Sequence, residues 1–407
     1  MKHTRILLLI ALLSVGAVGL PSLRGATFTV INTNDNGPGS LRQALADAVD
    51  GDTINFNSSL NGQTITLTSG QLLVGKSITI SGPGANQLAV DANHVSRVFY
   101  IGSGKDVTIS GLTITNGSPP DYYGGGIYND HAILTLSSCT IRGNSNGAGV
   151  GGGIYNNGLA GTATLIVSNC TISGNSTVPG LGGPGTGGGI YNESGTVTIT
   201  NSSLSGNSAG NDGGGGIANY GTVTITNSTL SGNSCGSLGA GGGIFNRATV
   251  TITNSTLSGN SAPPGGGGGI YNEAILKIGN TILNASPSGE NIYNAYGTVI
   301  SLGYNLSSDN GGGYLTATDD HINTDPRLGP LQDNGGPTFT HLPASNSPAI
   351  DSGDPTLGMD QRGPSFQRLT TGSIDIGAVE AQATPTPTPR PHWRRRWHRS
   401  AGAGPLP

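Results

Sequence analysis

The 407-residue sequence predicts an all-β fold, a single-stranded parallel β-helix of roughly nine stacked coils. The main evidence for this fold is a repeated motif, GGGIYN or a close variant. Its isoleucines are spaced 27, 36, 27, 27 and 26 residues apart. They are Ile127, Ile154, Ile190, Ile217, Ile244 and Ile270. A second phrase, TVTITNSSLSGNS or TVTITNSTLSGNS, lies between later copies. Each short apolar run is flanked by Gly, Asn, Ser and Thr, which favour strands and turns over helices.

One coil cannot bury its apolar residues, but coils stacked at about 4.8 Å bury a continuous column. Aligning the copies on their SGN or RGN triplets predicts two inward columns. They are Leu134, Leu165, Val197, Val223 and Val250, and Leu136, Val167, Ile199, Ile225 and Ile252. The general preference for right-handed crossovers gives the expected hand.

The same alignment stacks polar residues. Asn169, Asn201, Asn227 and Asn254 form a column that we interpret as a hydrogen-bonded ladder, in preference to a row of glycosylation sites. Cys139 and Cys170 are expected to stack directly, in a column continued by Ser202, Ser228 and Ser255. A disulfide between the two cysteines stays open at this point. Cys235 falls in a following loop and is expected to be a free thiol.

The two ends of the chain lie outside the repeats and differ from them in sequence. Residues 1–26 have the charge, apolar core and small residues of a secretory signal, with cleavage expected after Gly19 or Ala26. Residues 27–324 form the β-helix, and Ser40 can cap a short amphipathic helix over its first coil. Residues 325–382 are expected to close the other end. Residues 383–407 are a Pro/Thr linker and a basic tail.

Composition narrows the possible partners. Residues 27–382 hold 10 Lys and Arg against 22 Asp and Glu, a net charge of −12, which argues against nucleic acid. With three cysteines in the chain, disulfides are not its framework. We expect a secreted or cell-surface protein, monomeric, with no transmembrane segment in the mature chain.

The paired phrases resemble the repeats of polymorphic outer-membrane proteins, with Gly in place of the family's Ala and Leu or Ile in place of its Phe. GPGSLRQALADA is similar to the N-terminal helix of exported β-helix surface proteins, with Gln43 where they carry Glu. DPRLGPLQDNGGPT, SPAIDSGD, DQRG and DIGAVE resemble, in order, the choice-of-anchor Q domain. These resemblances imply an exported bacterial surface protein with a pectate-lyase-like β-helix. No membrane barrel is expected, because alternating ten-residue strands are missing after Leu306.

Three places invite a catalytic interpretation. Asp319, Asp320 and His321, with the nearby Asp325, superficially resemble the acidic pairs of glycoside hydrolases, but they adjoin the anchor-type motif. The position after GGGI[YF]N carries Arg247 beside Glu273, which we interpret as an exposed ion pair. Turns such as 211–213 suggest calcium, but carboxylates are too sparse in the array. We therefore expect no catalytic residue, no cofactor and no metal ligand.

The remaining candidate is a stripe of outward-facing rings that follows the array isoleucines. Its members are Tyr128, Tyr155, Tyr191, Phe245 and Tyr271, with Ala218 interrupting it. These rings can stack on sugars of a polysaccharide or cell-surface glycan, or they can pack on each other, and the second interpretation is favoured. The sequence thus predicts a structural or adhesive rod. The alternative is a polysaccharide lyase or glycoside hydrolase of the β-helix type.

Overall fold

A computed structural model describes residues 25–381, except 148, 179–184, 212, 237–239, 285–287, 356–359 and 367–373. The expected secretory signal, apart from its last two residues, and the expected tail lie outside the described residues. The described chain winds into a parallel β-solenoid of about ten coils, as predicted. Each complete coil contributes one strand to each of three long sheets, A, B and C, whereas the end coils lack one or two of these strands, and four coils add a short strand to a fourth sheet, D.

Sheet A has eleven parallel strands. They are Thr27–Val30, Thr53–Phe56, Thr79–Ser81, Asp106–Ser110, Ile133–Ser137, Thr164–Ser168, Thr196–Thr200, Thr222–Thr226, Thr249–Thr253, Ile275–Gly279 and Thr298–Ser301. Sheet B has ten. They are Gln63–Thr66, Leu88–Asp91, Thr113–Thr115, Thr140–Arg142, Thr171–Ser173, Ser203–Ser205, Thr229–Ser231, Thr256–Ser258, Ile282–Asn284 and Leu306–Ser307.

Sheet C has nine strands. They are Leu72–Val74, Phe99–Ile101, Ile127–Asp130, Ile154–Asn157, Ile190–Glu193, Ile217–Asn219, Ile244–Asn246, Gly267–Asn272 and Glu290–Asn294. Sheet D contains Ser145–Asn146, Ser176–Thr177, Ser208–Ala209 and Ser234–Cys235.

The predicted apolar columns are confirmed. Strands pair so that Ile127, Ile154, Ile190, Ile217, Ile244 and Ile270 stack in sheet C. The two predicted Leu/Val/Ile columns stack in sheet A. These side chains have no exposed surface and belong to one core cluster. Full burial of each stabilises the fold by about 1.5–3 kcal/mol before the entropy of ordering is subtracted.

The predicted N-terminal helix is also confirmed. It spans Leu41–Asp47, and the Ser40 hydroxyl accepts a 3.2 Å hydrogen bond from the Gln43 amide, which caps its first turn. Leu41, Ala44 and Leu45 are buried and join the core cluster, so the helix covers the first coil. The described residues also include two 3₁₀ turns, Ser58–Leu60 and Gly311–Gly313.

The predicted asparagine ladder is wrong in its position. Asn169, Asn201, Asn227 and Asn254 have φ between 48° and 53°, the left-handed conformation that turns the chain from sheet A to sheet B. One amide contact is present in this column, from Asn280 to Asn254 at 3.0 Å. The continuous ladders use other asparagines: 129, 156, 192, 219, 246, 272 and 294 in one, and 144, 175, 207, 233 and 260 in the other.

The predicted cysteine column is confirmed. The Cys139 amide lies 3.3 Å from the Cys170 sulfur, and the Cys170 amide donates to Ser202 Oγ at 3.1 Å. The column continues through Ser228 and Ser255 in the same way. All three cysteines of the chain are free thiols in this structure. Cys235 does have a neighbour in its column, since it pairs with Ala209 in sheet D.

The segment after residue 325, expected to close the solenoid end, makes its contacts along the side of the solenoid. The Gln361 amide group donates to Ser202 O, and Thr229 Oγ1 donates to Gln361 Oε1 at 2.6 Å. Ala378 N donates to Thr256 Oγ1 at 3.2 Å. At the end itself, Leu315 belongs to the main core cluster. The end of the core column is therefore covered by the loop that follows Leu306–Ser307.

Candidate functional site

The outward face of sheet C carries the predicted aromatic stripe. The five strands that begin at Ile127, Ile154, Ile190, Ile217 and Ile244 directly follow a glycine triplet. The backbone of the triplet is pressed against the next coil, so that a Cβ at Gly152 would clash with Ser176 O. The isoleucine that follows points into the core, so the next residue points outward. The strands pair in register, which places Tyr128 beside Tyr155 and Tyr155 beside Tyr191.

The rings form one continuous column, which we call the aromatic ladder. Successive ring centroids lie 5.0 to 6.1 Å apart, the range of favourable aromatic pairs. Its members are Tyr100, Tyr128, Tyr155, Tyr191, Tyr220, Phe245, Tyr271 and Tyr293, and Tyr123 packs on its side. Each such pair contributes about 0.5–1.5 kcal/mol beyond its buried area.

The rings differ in how much surface they keep. Tyr155, Tyr191 and Phe245 are only 4%, 7% and 3% exposed, so their faces are covered by neighbouring rings and loops. Tyr128 and Tyr271 are half-buried. Tyr123, from the loop before Gly124, is 42% exposed. The five predicted stripe residues thus lie in one column, and the middle of that column has little surface left for a ligand.

The gap expected at Ala218 is filled. Tyr220, two residues later, folds back so that its ring lies 5.2 Å from Tyr191 and 6.1 Å from Phe245. The Arg247 guanidinium lies over the rings of Tyr220 and Phe245, at 5.6 and 4.9 Å. Tyr220 occupies the same position of the repeat as Arg247 and Glu273, which were expected to be exposed, so sequence reasoning missed this role. Tyr293 could have been found, because Asn291–Asn294 reads NIYN, a shortened copy of the repeat phrase.

A polar cluster lies at the N-terminal end of the aromatic ladder. The Asp130 carboxylate accepts from Tyr100 Oη and from Asn157 Nδ2, and it pairs with His131 Nδ1 at 2.6 Å. His131 Nε2 lies 2.7 Å from the Leu159 carbonyl oxygen. Because both partners of the imidazole are acceptors, the charged ring that donates twice is favoured.

These contacts shift the ionisation of the cluster. The Leu159 carbonyl, followed by Asp130, raises the pKa of His131. Burial raises the pKa of Asp130, but the hydrogen bonds from Tyr100, His131 and Asn157 outweigh it and lower that pKa. Burial, followed by the charge of Asp130, raises the pKa of Tyr128 to about 12. Asp130 and His131 are therefore not left as free general bases, since neighbouring groups already hydrogen-bond to both.

Arg97 also lies at the N-terminal end of the aromatic ladder. Its guanidinium is nearly fully buried, lies 5.5 Å from the Tyr128 ring centroid, and pairs with Asp121. It also donates to Gln71 Oε1 and Tyr123 O. Arg97 therefore ties the loop that carries Tyr123 to the aromatic ladder. No sequence pattern pointed to Arg97, because it lies before the regular repeats.

The other sequence candidates have structural partners. Arg247 Nε and Glu273 Oε2 are 2.7 Å apart, which confirms the predicted ion pair. Asp320 accepts from Ser301 Oγ, from two nitrogens of Asn305 and from the Ala317 amide, so it closes a turn. Within the described ranges, no group of three or more His, Cys, Asp or Glu residues is arranged to hold a metal ion. No helix of the described chain has the length and apolarity to cross a membrane.

Comparisons with known proteins agree with the architecture. A family described as "Right handed beta helix region" matches residues 91–230. The solved structure of pectate lyase Pel9A is similar with a TM-score of 0.46 and 15% identity, over 88% of this chain and 96% of that one. An alginate lyase from Paenibacillus sp. str. FPU-7 gives 0.37 and 16%, over 66% and 99%. No curated protein matches the sequence. At these distances no residue role or activity passes from the lyases to this chain.

Proposed function

We propose that the protein is an exported cell-surface rod that contacts carbohydrate through the accessible parts of the aromatic ladder. The observation that carries the proposal is the ladder itself, an unbroken column of rings along one face of a solenoid. The buried middle of the column stiffens the rod. Its half-buried rings, Tyr128 and Tyr271, and the exposed Tyr123 offer edges and faces to sugars.

Export rests on residues 1–26, whose sequence has the organisation of a secretory signal. The body charge of −12 suits a neutral or cationic glycan better than an acidic one. The motifs that resemble the choice-of-anchor Q domain support a place at the cell surface. We expect a monomer, because the ladder is completed within one chain.

The alternative, a lyase or hydrolase, needs two reacting groups facing a common space. On the outer face of sheet C, Asp130 and Glu193 are separated by Asn157 on the intervening strand. The cluster of Asp130 and His131 is the nearest approach to a catalytic group, and its hydrogen bonds are already filled. The rod is therefore the function that the geometry supports better.

A glycan array with the purified chain tests the proposal, beside depolymerisation assays on acidic and neutral polysaccharides with and without calcium. We expect saturable binding without turnover. Replacing Tyr123 by Ala is expected to weaken binding, because this ring is 42% exposed. The variant is expected to stay folded and to melt slightly below the parent, because the packing of this ring on Tyr155 is lost.

The matched control is Tyr296→Ala. Tyr296 is 88% exposed and is not part of the aromatic ladder, so its loss is expected to leave binding intact. Turnover of any polysaccharide would move the function to the enzyme class. No binding to any glycan, with a normal melting profile, would reduce the proposal to a rod without a ligand.

A further inference from the structure

The solenoid has three long faces, and two of them are covered along part of their length. The outer face of sheet C lies under the aromatic ladder. The later strands of sheet B lie under the segment after residue 325, where Ser231 Oγ contacts His341 and Thr229 contacts Gln361. On sheet A, every outward-pointing residue of the six strands from Asp106 to Thr253 is half-buried or exposed. Among the described residues, sheet A is the face left open.

This open face is made almost entirely of hydroxyl groups, and we call it the threonine face. Strand pairing places its outward residues in three straight columns. From residue 164 to 253 these are Thr164, Ile166, Ser168, Thr196, Thr198, Thr200, Thr222, Thr224, Thr226, Thr249, Thr251 and Thr253. The nearest charges in the columns are Asp106 at one end and Lys277 at the other.

The strands of the threonine face are held in register by hydrogen bonds along both of its edges. At one edge, asparagine amides of one ladder donate to each other and to strand carbonyls, for example Asn219 to Thr249 O at 3.0 Å. At the other edge, the Ser202 amide donates to Ser228 Oγ, and the Ser228 amide to Ser255 Oγ.

The resulting lattice has a fixed spacing. Neighbouring strands repeat at about 4.8 Å, and alternate residues on a strand at about 6.7 Å. One hydroxyl pair departs from this spacing, since Thr226 Oγ1 and Thr253 Oγ1 lie within hydrogen-bond distance of each other at 3.2 Å. Each threonine adds a methyl group beside its hydroxyl, so the face alternates between points that hydrogen-bond water and points that exclude it.

The composition of the face decides between classes of partner. Protein interfaces depend on aromatic, Met or Arg anchors, and the outward columns from residue 164 to 253 contain none. This patch measures roughly 15 by 13 Å, well below the area that one partner of a stable protein complex contributes. Stacking on sugar rings needs aromatic residues, which lie on the opposite side of the coil. The face presents a rigid, neutral array of regularly spaced hydroxyl and methyl groups. Such an array fits a partner whose own surface atoms are regularly spaced.

We propose that the threonine face binds ice. Its two repeat distances are close to the spacings of oxygen atoms on the surfaces of hexagonal ice. Threonine hydroxyls would take the places of water molecules in the surface layer, while the methyl groups sit between them. The backbone of the face needs no conformational change for this, because the ladders already hold its strands in register.

The test is ice recrystallisation inhibition by the purified chain, together with partition of the fluorescently labelled chain into a growing ice hemisphere. We expect the parent to slow recrystallisation and to enter the ice. Thr224→Lys is expected to abolish both effects, because a long charged side chain at the centre of the lattice holds ice away. Thr224→Val keeps the methyl and is expected to retain part of the activity.

The matched control is Thr171→Lys, which adds the same charge at a half-buried outward position of sheet B. It is expected to behave as the parent. Circular dichroism and melting confirm that each variant is folded. An inactive but folded parent, or an equal loss in Thr171→Lys, would overturn the proposal. So would a parent that sediments as a dimer when Thr224→Lys is monomeric, because the face would then belong to a second copy.

Discussion

At the residue scale, asparagine has two different tasks in this fold. Asn201 and Asn227 adopt positive φ and turn the chain at the corner between sheets A and B. Asn192 and Asn219, fully buried, donate and accept along the solenoid axis. All of these asparagines repeat with the same period. Periodicity alone predicted that a ladder exists but could not show which column forms it, because the deciding quantity is the backbone dihedral.

The ladder asparagines are expected to stabilise the fold strongly. Asn219 Nδ2 donates to Asn246 Oδ1 at 2.9 Å, and Asn219 Oδ1 accepts from Asn192 Nδ2 and from the Gly221 amide. Asn219→Ala leaves these buried partners unsatisfied, so we expect a loss of about 2–3 kcal/mol in the free energy of unfolding. Urea denaturation measures it.

The control for this substitution is Asn201→Gly. Asn201 has φ of 50°, which glycine adopts without strain, and its side-chain oxygen has no partner. We expect this variant to stay within about 1 kcal/mol of the parent. If both variants lost the same free energy of unfolding, the axial hydrogen bonds would contribute no more to stability than the corner asparagines do.

At the scale of elements, the sequence predicted which side of each strand faces the core, since strand residues alternate. It did not predict how far the outward rings are buried, because that depends on loops of differing length that pack over sheet C. Tyr220 shows the same limit. Its recruitment into the aromatic ladder depends on the small side chain of Ala218, which is fully buried in the same ring cluster.

This arrangement predicts that the effect of Ala218→Tyr on stability changes sign when the Tyr220 ring is removed. Tyr220→Ala removes two ring contacts and is expected to cost about 1–3 kcal/mol of stability. Ala218→Tyr in the parent must displace the Tyr220 ring, so it is expected to destabilise as well. Combined, the new ring at 218 can take the vacated place, and the double variant is expected to be more stable than Tyr220→Ala alone.

Thermal melting of the parent, the two single variants and the double variant measures this coupling. Tyr220→Phe keeps the ring and removes the hydroxyl, so it separates ring packing from the polar contacts of Tyr220. If the two single effects simply add in the double variant, Tyr220 does not substitute for a missing ring at residue 218.

At the scale of the whole molecule, the solenoid could be predicted because its information is repeated in every coil. The path of the segment after residue 325 could not. Its contacts join single residues far apart in sequence, such as Gln361 with Ser202 and His341 with Ser231, and no sequence repeat predicts them. Its motifs serve largely to hold the segment together: Arg362 pairs with Asp360, and the Asp375 carboxylate accepts from the Asp351 amide.

Two histidines give the molecule opposite responses to pH. The pKa of His131 is raised, so its contribution to stability is present below its unfolded pKa and is lost as pH rises through the folded one. Burial lowers the pKa of His341, although a hydrogen bond to Gly329 O acts the other way. Its contribution is present above the unfolded pKa, ordinarily 6.5, and is lost as pH falls.

His341 is therefore expected to loosen the lateral segment in acid. Nδ1 donates to Gly329 O at 2.7 Å, so the neutral ring accepts from Ser231 Oγ at Nε2, 2.9 Å away. Protonation places a charge in this buried contact between the segment and sheet B. Hydrogen exchange at Thr229–Ser231 is expected to quicken as pH falls below 6.5, after correction for the intrinsic rate. A local probe is needed, because His131 shifts global melting in the opposite direction.

His341→Gln is the matched control, since glutamine offers a donor and an acceptor but does not titrate. Its protection at Thr229–Ser231 is expected to be independent of pH over the same range. Exchange at the uncovered strand Thr171–Ser173 provides an internal reference in both proteins. If His341→Gln and the parent lose protection equally in acid, the lateral segment is released by another group, and the buried histidine is not its pH-sensitive contact.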